Sequence, residues 1–242
     1  IREASISFND LTEMRFDNYY LDFWAQFAIP AGKRNGYNNM VGNIAELTDP
    51  VAVGSGTNTV AYSYNGTTWT GLGLTIFGTN GNGIAWNGLY WVGLGSGVGT
   101  NTVAYSSNGL VWTGLGTSIF ATEGFSVAWN GNYWIAGGTD ATNTLWISND
   151  TLNWTGLGTT IFTSSGNNIV STPNIIISSG SGTNTLAYSY NGITWIGLGT
   201  TVFATSGKGI SWNGNVFVAT GSDTVNTVAY SLNGLVWTGS GL

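Results

Sequence analysis

Ser63-Tyr-Asn-Gly-Thr-Thr-Trp69 is a short turn motif that the chain repeats five times. The later copies end at Trp112, Trp154, Trp195 and Trp237, so the tryptophans recur every 41 to 43 residues. A fixed period of this size is the signature of a repeat architecture, in which each unit buries its apolar face against its neighbours. The spacing of this one motif therefore indicates the fold class.

Most repeats hold two Asn-Gly pairs, which are strong signals for β-hairpins. Asn-Gly accepts the positive φ angles of a type I′ turn, whose twist matches that of the flanking strands, and we predict that turn type here. The pairs keep the register of the repeat and lie at 65–66, 87–88, 108–109, 130–131, 191–192, 213–214 and 233–234. Two hairpins in about 42 residues predict four short strands, the size of one propeller blade.

We therefore predict an all-β protein in which residues 51–242 form a five-bladed β-propeller of four-stranded repeats. A β-solenoid is the alternative, but its coils are usually shorter and lack paired hairpin turns. The first blade lacks an obvious first strand, which residues 40–47 or sequence outside the chain would have to supply. Because the chain begins at Ile1 rather than Met and stops within a repeat, we expect a fragment cut at both ends.

The motif resembles the Asp-box, the Ser-x-Asp-x-Gly-x-x-Trp hairpin of bacterial neuraminidase propellers. Here it is one residue shorter, and Asn replaces Asp in every copy except at Asp150. The resemblance implies a propeller hairpin. We expect its Ser and Asn to hydrogen-bond the turn backbone and its Trp to pack between blades.

Charge and residue types argue against several functions. Charged residues make up 7% of the chain, whereas an average globular domain has about 25%. The only cation in the repeats is Lys208, so we expect neither nucleic-acid binding nor attraction to anionic membranes. No apolar run approaches the roughly 18 residues of a membrane span, and the N-terminus does not resemble a signal peptide.

We expect no enzymatic activity. The chain has no His and no Cys, which excludes catalysis by either residue and cysteine-rich zinc sites. A sialidase would need an arginine cluster, and glycosidases generally need two neighbouring carboxylates. The repeats contain no Arg, and their acids, Glu123, Asp140, Asp150 and Asp223, are scattered. We predict no catalytic residue, cofactor or metal, and a weak Ca²⁺ site at the Asn/Asp turns is the alternative.

Carbohydrate binding is the ligand chemistry that the composition favours, because exposed aromatic rings among neutral polar groups suit the faces and hydroxyls of sugars. In the first hairpin, the Trp91 position stays apolar in all four copies, which predicts burial. The Trp86 position admits Ser171 in one copy, which predicts partial exposure. We therefore predict that Trp86, Trp129 and Trp212 bind glycans; packing between strands is the alternative role.

Residues 1–50 form a second region, with seven of the eleven acids, four of the five cations and no copy of the repeat. Apolar and polar residues alternate in 4–8 and 21–27, which predicts strands. Three stretches resemble the first jelly roll in major capsid proteins of large double-stranded DNA viruses: Ile1-Arg-Glu-Ala-Ser-Ile-Ser-Phe-Asn9, Tyr20-Leu-Asp-Phe-Trp-Ala-Gln-Phe27 and Ile29-Pro-Ala-Gly-Lys-Arg-Asn-Gly-Tyr-Asn-Asn-Met-Val-Gly-Asn43.

The resemblance implies a trimeric capsomer built from two jelly rolls, with the propeller inserted in an outward loop after Asn43. The leading hypothesis is a structural virion protein of a large DNA virus, with capsid subunits as partners and host-surface glycans as possible ligands. A free-standing extracellular propeller lectin or adhesin is the first alternative. A purely architectural surface module is the second. An unrelated strand pair that caps the propeller is the other interpretation of residues 1–50.

Overall fold

The computed structural model describes residues 50–97 and 100–241. Within these ranges the regular structure consists of nineteen short strands that pair antiparallel, with no helix. The prediction of an all-β fold is confirmed for this part of the chain. The predicted jelly-roll strands lie outside the described residues, and the domain boundary at residue 50 stays a prediction.

The strands fall into five successive units in which each strand pairs with the next. Unit 1 has three described strands, β1 (Val51–Val53), β2 (Val60–Tyr62) and β3 (Thr70–Gly71). Unit 2 consists of β4 (Asn80–Trp86), β5 (Trp91–Ser96), β6 (Val103–Ser106) and β7 (Thr113–Gly114). Unit 3 consists of β8 (Glu123–Trp129), β9 (Trp134–Thr139), β10 (Leu145–Ser148) and β11 (Thr155–Gly156). Unit 4 consists of β12 (Ser165–Ser171), β13 (Ile176–Ser181), β14 (Leu186–Ser189) and β15 (Trp195–Gly197). Unit 5 consists of β16 (Ser206–Trp212), β17 (Phe217–Ser222), β18 (Val228–Ser231) and β19 (Thr238–Gly239).

A β-bulge interrupts the first strand of each four-stranded unit. The extra residues are Asn82, Phe125, Asn167 and Lys208. A bulge bends its strand and increases the local twist. Single residue pairs then connect neighbouring units: Ser55 with Asn80, Ser96 with Glu123, and Ser181 with Ser206.

The Asn-Gly turns lie at the predicted places, but the predicted turn type is wrong. All seven glycines have positive φ, whereas Thr151 is the one non-glycine residue with positive φ among those described. A type I′ turn would need positive φ at Asn as well. Instead the side chain of Asn65 accepts hydrogen bonds from the backbone N–H groups of Thr67 and Thr68, at 2.9 and 2.8 Å. These bonds hold Asn in the ordinary negative-φ region, as an Asx turn does.

The serine of the motif completes the second turn of each unit. Ser63 Oγ accepts a 2.8 Å hydrogen bond from the backbone N–H of Gly66, and units 2, 4 and 5 repeat the bond. Unit 3 differs, because Asp150 replaces Asn and Thr151 replaces Gly at a φ of 70°. The expected role of Ser and Asn in hydrogen-bonding the turn is confirmed.

Four of the five motif tryptophans pack against the preceding unit. Trp195 lies in one cluster with Ile135 and Leu145 of unit 3, and Trp237 packs with Ile177 and Leu186 of unit 4 in the same way. Burial of these rings supplies much of the contact between units, since each large aromatic side chain removes a large apolar area from water. Trp69, at the start of the series, is 44% exposed.

A second recurring interaction, not predicted from the sequence, fixes the segment that follows the last strand of each unit. Asn58 Oδ1 accepts a 2.8 Å hydrogen bond from the backbone N–H of Gly73, and its side chain fills the place that a Cβ on Gly71 would occupy. The arrangement recurs at Asn101, Asn143, Asn184 and Asn226. It explains why both glycines of the Thr-Gly-Leu-Gly segment are needed, one for space and one, Gly73, for its φ of 75°.

Candidate glycan-binding site

The predicted glycan-binding tryptophans end the first strands of three units, where each faces a cross-strand aromatic partner. Trp86 pairs with Trp91, Trp129 with Trp134, and Trp212 with Phe217. The ring centroids are 5.1, 5.1 and 5.9 Å apart, respectively. Such pairs are typical of favourable aromatic packing. Each candidate ring is therefore held in place by a neighbour on the next strand.

Burial separates the two members of each pair largely as predicted. Trp134 is fully buried, and Ile176 and Phe217 at the same position are 2% and 3% exposed. Trp91 departs from this pattern, because it is only half-buried. Trp86, Trp129, Trp212 and their equivalent Ser171 are all half-buried, so the candidate position retains surface for a ligand.

All five units line one cavity of about 590 Å³. Its wall comes from the first strands of units 2 to 5 and from β1 of unit 1. Trp212 borders this cavity directly, whereas Trp86 and Trp129 do not. Trp86 and Trp129 lie two residues beyond Ile84 and Val127, which do line the cavity. Because residues i and i+2 share one face of a strand, the two tryptophans lie on the same strand face as these lining residues. The lining residues are Ala52, Val53, Asn82, Gly83, Ile84, Phe125, Ser126, Val127, Asn168, Ile169, Val170, Ile210, Ser211 and Trp212.

The three tryptophans form separate platforms. Each ring contact reported above lies within one unit, and no ring contact among the described residues joins Trp86, Trp129 and Trp212 to one another. A ligand that engaged all three would have to extend over several units. The arrangement suits repeated weak contacts rather than one enclosed pocket.

Two asparagine side chains at the bulges join neighbouring units, and one of them, Asn82, also lines the cavity. Asn82 Nδ2 donates to Gly124 O at 2.9 Å and to Glu123 Oε1 at 2.8 Å. Asn167 Nδ2 makes the equivalent 2.6 Å contact with Gly207 O. Both asparagines are bulge residues, so the bulge aims a side chain at the next unit. Neither asparagine was predicted from the sequence, although both occupy the same position of the repeat.

Ser126 and Asn168 extend this network. The backbone N–H of Ile169 donates to Ser126 Oγ at 3.1 Å, and that of Ile210 donates to Asn168 Oδ1 at 3.0 Å. These oxygens are therefore already engaged by protein donors. The cavity wall is better suited to joining units than to binding a polar ligand, which leaves the tryptophans as the stronger candidates.

Charged side chains are sparse in the repeats, where Lys208 is the only cation and Glu123, Asp140, Asp150 and Asp223 are the acids; this composition favours neutral ligands. Hydrogen bonds from the Asn153 side chain and backbone, with further ones from Leu152 and Ser148, lower the pKa of Asp150 to about 2. The Asp150 carboxylate is thus already hydrogen-bonded to groups of its own turn. No group of three His, Cys, Asp or Glu side chains that could hold a metal occurs among the described residues.

The described part of the chain contains no helix that is both long and apolar enough to span a bilayer.

Solved structures with a propeller-like fold are similar to this chain. A chain of a solved nidogen/laminin complex matches over 80% of this chain and 79% of its own length, with a TM-score of 0.54 and 14% identity. A structure described as YCF48 bound to D1 peptide matches 79% of this chain and 62% of its own, also with a TM-score of 0.54 and 14% identity. At this level of identity the likeness shows the fold alone.

Major capsid proteins of iridescent viruses are similar over a short segment. The protein of Tipula iridescent virus is 65% identical over 54 residues, which is 22% of this chain and 12% of the relative. That of Invertebrate iridescent virus 3 is 49% identical over 84 residues, 35% of this chain and 17% of the relative. The chain thus spans less than a fifth of the length of these relatives. No family model matches it.

Proposed function

We propose that this chain is part of a structural virion protein related to the major capsid proteins of large DNA viruses. The observation that carries the proposal is the 65% identity to the capsid protein of Tipula iridescent virus over 54 residues. We place most of that similarity in residues 1–50, because these residues carry the capsid-like stretches; the 54 aligned residues must also include positions outside this 50-residue segment. The partners would be other capsid subunits in a trimer, and the location would be the capsid surface.

The repeats would form a five-bladed propeller inserted in an outward loop of the capsid jelly roll. Support comes from five consecutive antiparallel units around one cavity and from the propeller-like solved structures. A domain inserted in a surface loop leaves the host core intact when its ends lie on the surface. The loop would display the propeller away from the shell.

A graft tests this arrangement. Residues 51–241 would be placed in the Tipula iridescent virus capsid protein directly after the residue aligned with Pro50. We expect the recipient to remain trimeric by light scattering, as does a control carrying a Gly/Ser linker of equal length. If the control is trimeric and the graft is not, the outward-insertion proposal is wrong.

Host or glycan contact would be the role of the displayed propeller. The supporting observation is that Trp86, Trp129 and Trp212 are half-buried on rigid strands and held by aromatic partners. Weak binding at separate platforms gains strength when many copies act together. A trimeric capsomer would multiply the number of such sites.

A propeller lectin or adhesin without a capsid role is the second candidate, favoured by the same three tryptophans. It predicts glycan binding and failure of the graft. A purely architectural module predicts a trimeric graft without glycan binding. We propose no catalytic residue, cofactor, nucleic-acid partner or membrane insertion for any of these roles.

A further inference from the structure

The seven Asn-Gly turns fall into two groups with different surroundings. First turns join the first and second strands of a unit and hold the pairs 87–88, 130–131 and 213–214. Second turns join the last two strands of a unit and hold the pairs 65–66, 108–109, 191–192 and 233–234. Asn followed by Gly is prone to spontaneous deamidation, because glycine has no side chain to shield its nitrogen or to restrict its backbone. All seven pairs therefore have the residue types for this reaction.

Deamidation is an intramolecular substitution at the Asn side chain. The backbone nitrogen of the following glycine loses its proton to base and attacks Cγ of Asn, which closes a five-membered succinimide ring and releases ammonia. Water then adds to either ring carbonyl and opens the ring to aspartate or isoaspartate. The first step needs a free glycine N–H and stabilisation of the negative charge that develops on Oδ1.

Both groups of turns polarise the Asn side chain in the same way. Asn213 Oδ1 accepts hydrogen bonds from the backbone N–H groups of Asn215 and Val216, at 3.0 and 2.9 Å. Asn65 Oδ1 accepts the equivalent pair at 2.9 and 2.8 Å. Two donors directed at one oxygen stabilise an oxyanion. This feature favours attack on Cγ in both groups and does not distinguish them.

The glycine nitrogen does distinguish the two groups. In the second turns this N–H donates to the motif serine, as Gly66 does to Ser63 Oγ at 2.8 Å and Gly192 to Ser189 Oγ at 2.8 Å. In the first turns, no acceptor among the described residues binds the N–H of Gly88, Gly131 or Gly214. A hydrogen-bonded N–H must give up its acceptor before the nitrogen can attack, which raises the barrier.

Exposure does not separate the turns in the best-matched comparison. The pairs 65–66 and 213–214 are both exposed, and no atom lies within 4 Å of the place that a Cβ on either glycine would occupy. Both also have a serine two positions before the Asn, at Ser63 and Ser211. Ser211 lines the cavity instead, and no hydrogen bond among the described residues joins it to Gly214. The folded turn, rather than the local sequence, thus decides whether the glycine nitrogen is bound.

We propose that the first-turn asparagines are sites of spontaneous deamidation, and that the motif serine protects the asparagines of the second turns. The susceptible residues are Asn87, Asn130 and Asn213. Each directly follows one of the candidate glycan-binding tryptophans, Trp86, Trp129 and Trp212. Conversion places a carboxylate beside that ring, in repeats that otherwise have four acids. The reaction does not depend on the glycan role, so either proposal can fail without the other.

Timed incubation of the full chain tests the proposal. The folded chain would be kept in mildly alkaline buffer and digested with chymotrypsin, which suits repeats with many aromatic residues and one cation. Mass spectrometry of the peptides then measures aspartate and isoaspartate at each turn. We expect Asn213 to convert roughly fivefold faster than Asn65, the factor in rate that corresponds to one hydrogen bond broken before attack.

The same incubation in denaturant is the control for local sequence. Unfolding frees every glycine nitrogen, so the rates at Asn213 and Asn65 should become similar. Equal rates in the folded chain would overturn the proposal. A rate ratio that stays the same in denaturant would also overturn it, because the difference would then come from the neighbouring residues and not from the turn.

Substitutions of Ser63 test the protecting hydrogen bond. Ser63→Ala removes the acceptor of the Gly66 N–H and should raise the rate at Asn65 roughly fivefold, whereas Ser63→Thr keeps a hydroxyl and should leave the rate low. Asn108, whose turn retains Ser106, should be unchanged in both variants. Circular dichroism checks that the variants are folded. An unchanged rate at Asn65 in Ser63→Ala would show that the serine does not protect, and an equal rise in both variants would attribute the effect to a loosened turn.

Discussion

The backbone N–H of Ile210 donates a 3.0 Å hydrogen bond to the side-chain oxygen of Asn168, 42 residues earlier in the chain. The bond joins the first strand of unit 4 to that of unit 5 beside the shared cavity. Ser126 and Ile169 form the same link between units 3 and 4. Neighbouring units are thus held by specific acceptors as well as by apolar packing.

Replacing Asn168 tests the value of this link. Asn168→Ala would leave the N–H of Ile210 without its acceptor, and we expect a loss of about 1–3 kcal/mol in the free energy of unfolding. Asn168→Asp keeps the acceptor oxygen and should cost less. Denaturant unfolding of the two variants measures the difference, and equal losses would show that the hydrogen bond does not stabilise the joint.

Two tryptophans of one hairpin should differ in their contribution to stability. Trp134 is fully buried, so Trp134→Ala should cost roughly 3–5 kcal/mol. Trp129 is the half-buried partner of Trp134, so Trp129→Ala should reduce the free energy of unfolding clearly less. Thermal and denaturant unfolding compare the two variants. Similar losses would mean that the burial pattern does not set the energetic roles of the two rings.

Gly66 and Gly109 form a matched pair for separating backbone strain from packing. Both have φ 74°. Because this left-handed backbone is unfavourable for alanine, substitution at either position should lower the free energy of unfolding by about 1–2 kcal/mol. Gly109→Ala should cost more, because its Cβ would also meet Val51 Cγ2 at 2.6 Å. Unfolding free energies check the order, and a larger loss at Gly66 would contradict it.

The stability of the chain should depend on Asp150 at acid pH. Hydrogen bonds from Asn153 and Leu152 lower its folded-state pKa from 3.8 to about 2. A lowered pKa means that the folded state favours the charged carboxylate, so its contribution is present above pH 4 and is lost as the pH falls from about 4 to 2.

Asp150→Asn removes this titration, and Asn fills the equivalent place in the other four turns. As the pH is lowered from 5 to 2, the midpoint temperature of thermal unfolding should therefore fall less steeply in the variant than in the unmodified chain. Identical slopes would show that Asp150 does not titrate in this window.

Glycan binding should depend on aromatic surface rather than on charge. A glycan array at two ionic strengths should show weak binding to neutral sugars that is nearly unchanged by salt, because the repeats have a single cation. Replacing Trp86, Trp129 and Trp212 with Ser, the residue at 171, should abolish binding while the chain stays folded. Binding limited to sialylated or sulfated glycans and lost at high salt would contradict this mechanism.

Local features of the fold could be predicted because local sequence controls them. The repeat period and the Asn-Gly pairs correctly located seven turns with positive φ at Gly. The turn type was predicted wrongly, because the prediction considered only the backbone preference of Asn-Gly. In the structure the Asn65 side chain accepts two backbone N–H groups and keeps Asn itself at negative φ.

The sequence by itself determined the hairpins, the spacing of the units and the apolar position occupied by Trp134, because each follows from a period or a turn residue. Only the tertiary structure decided how deeply a given tryptophan is buried. Trp69 and Trp195 end the same motif, yet Trp69 is 44% exposed and Trp195 is 9% exposed. The physical reason is that burial of the ring depends on the surface of the preceding unit. Trp195 of unit 4 packs against unit 3, whereas Trp69 belongs to unit 1, the first unit that the structure describes.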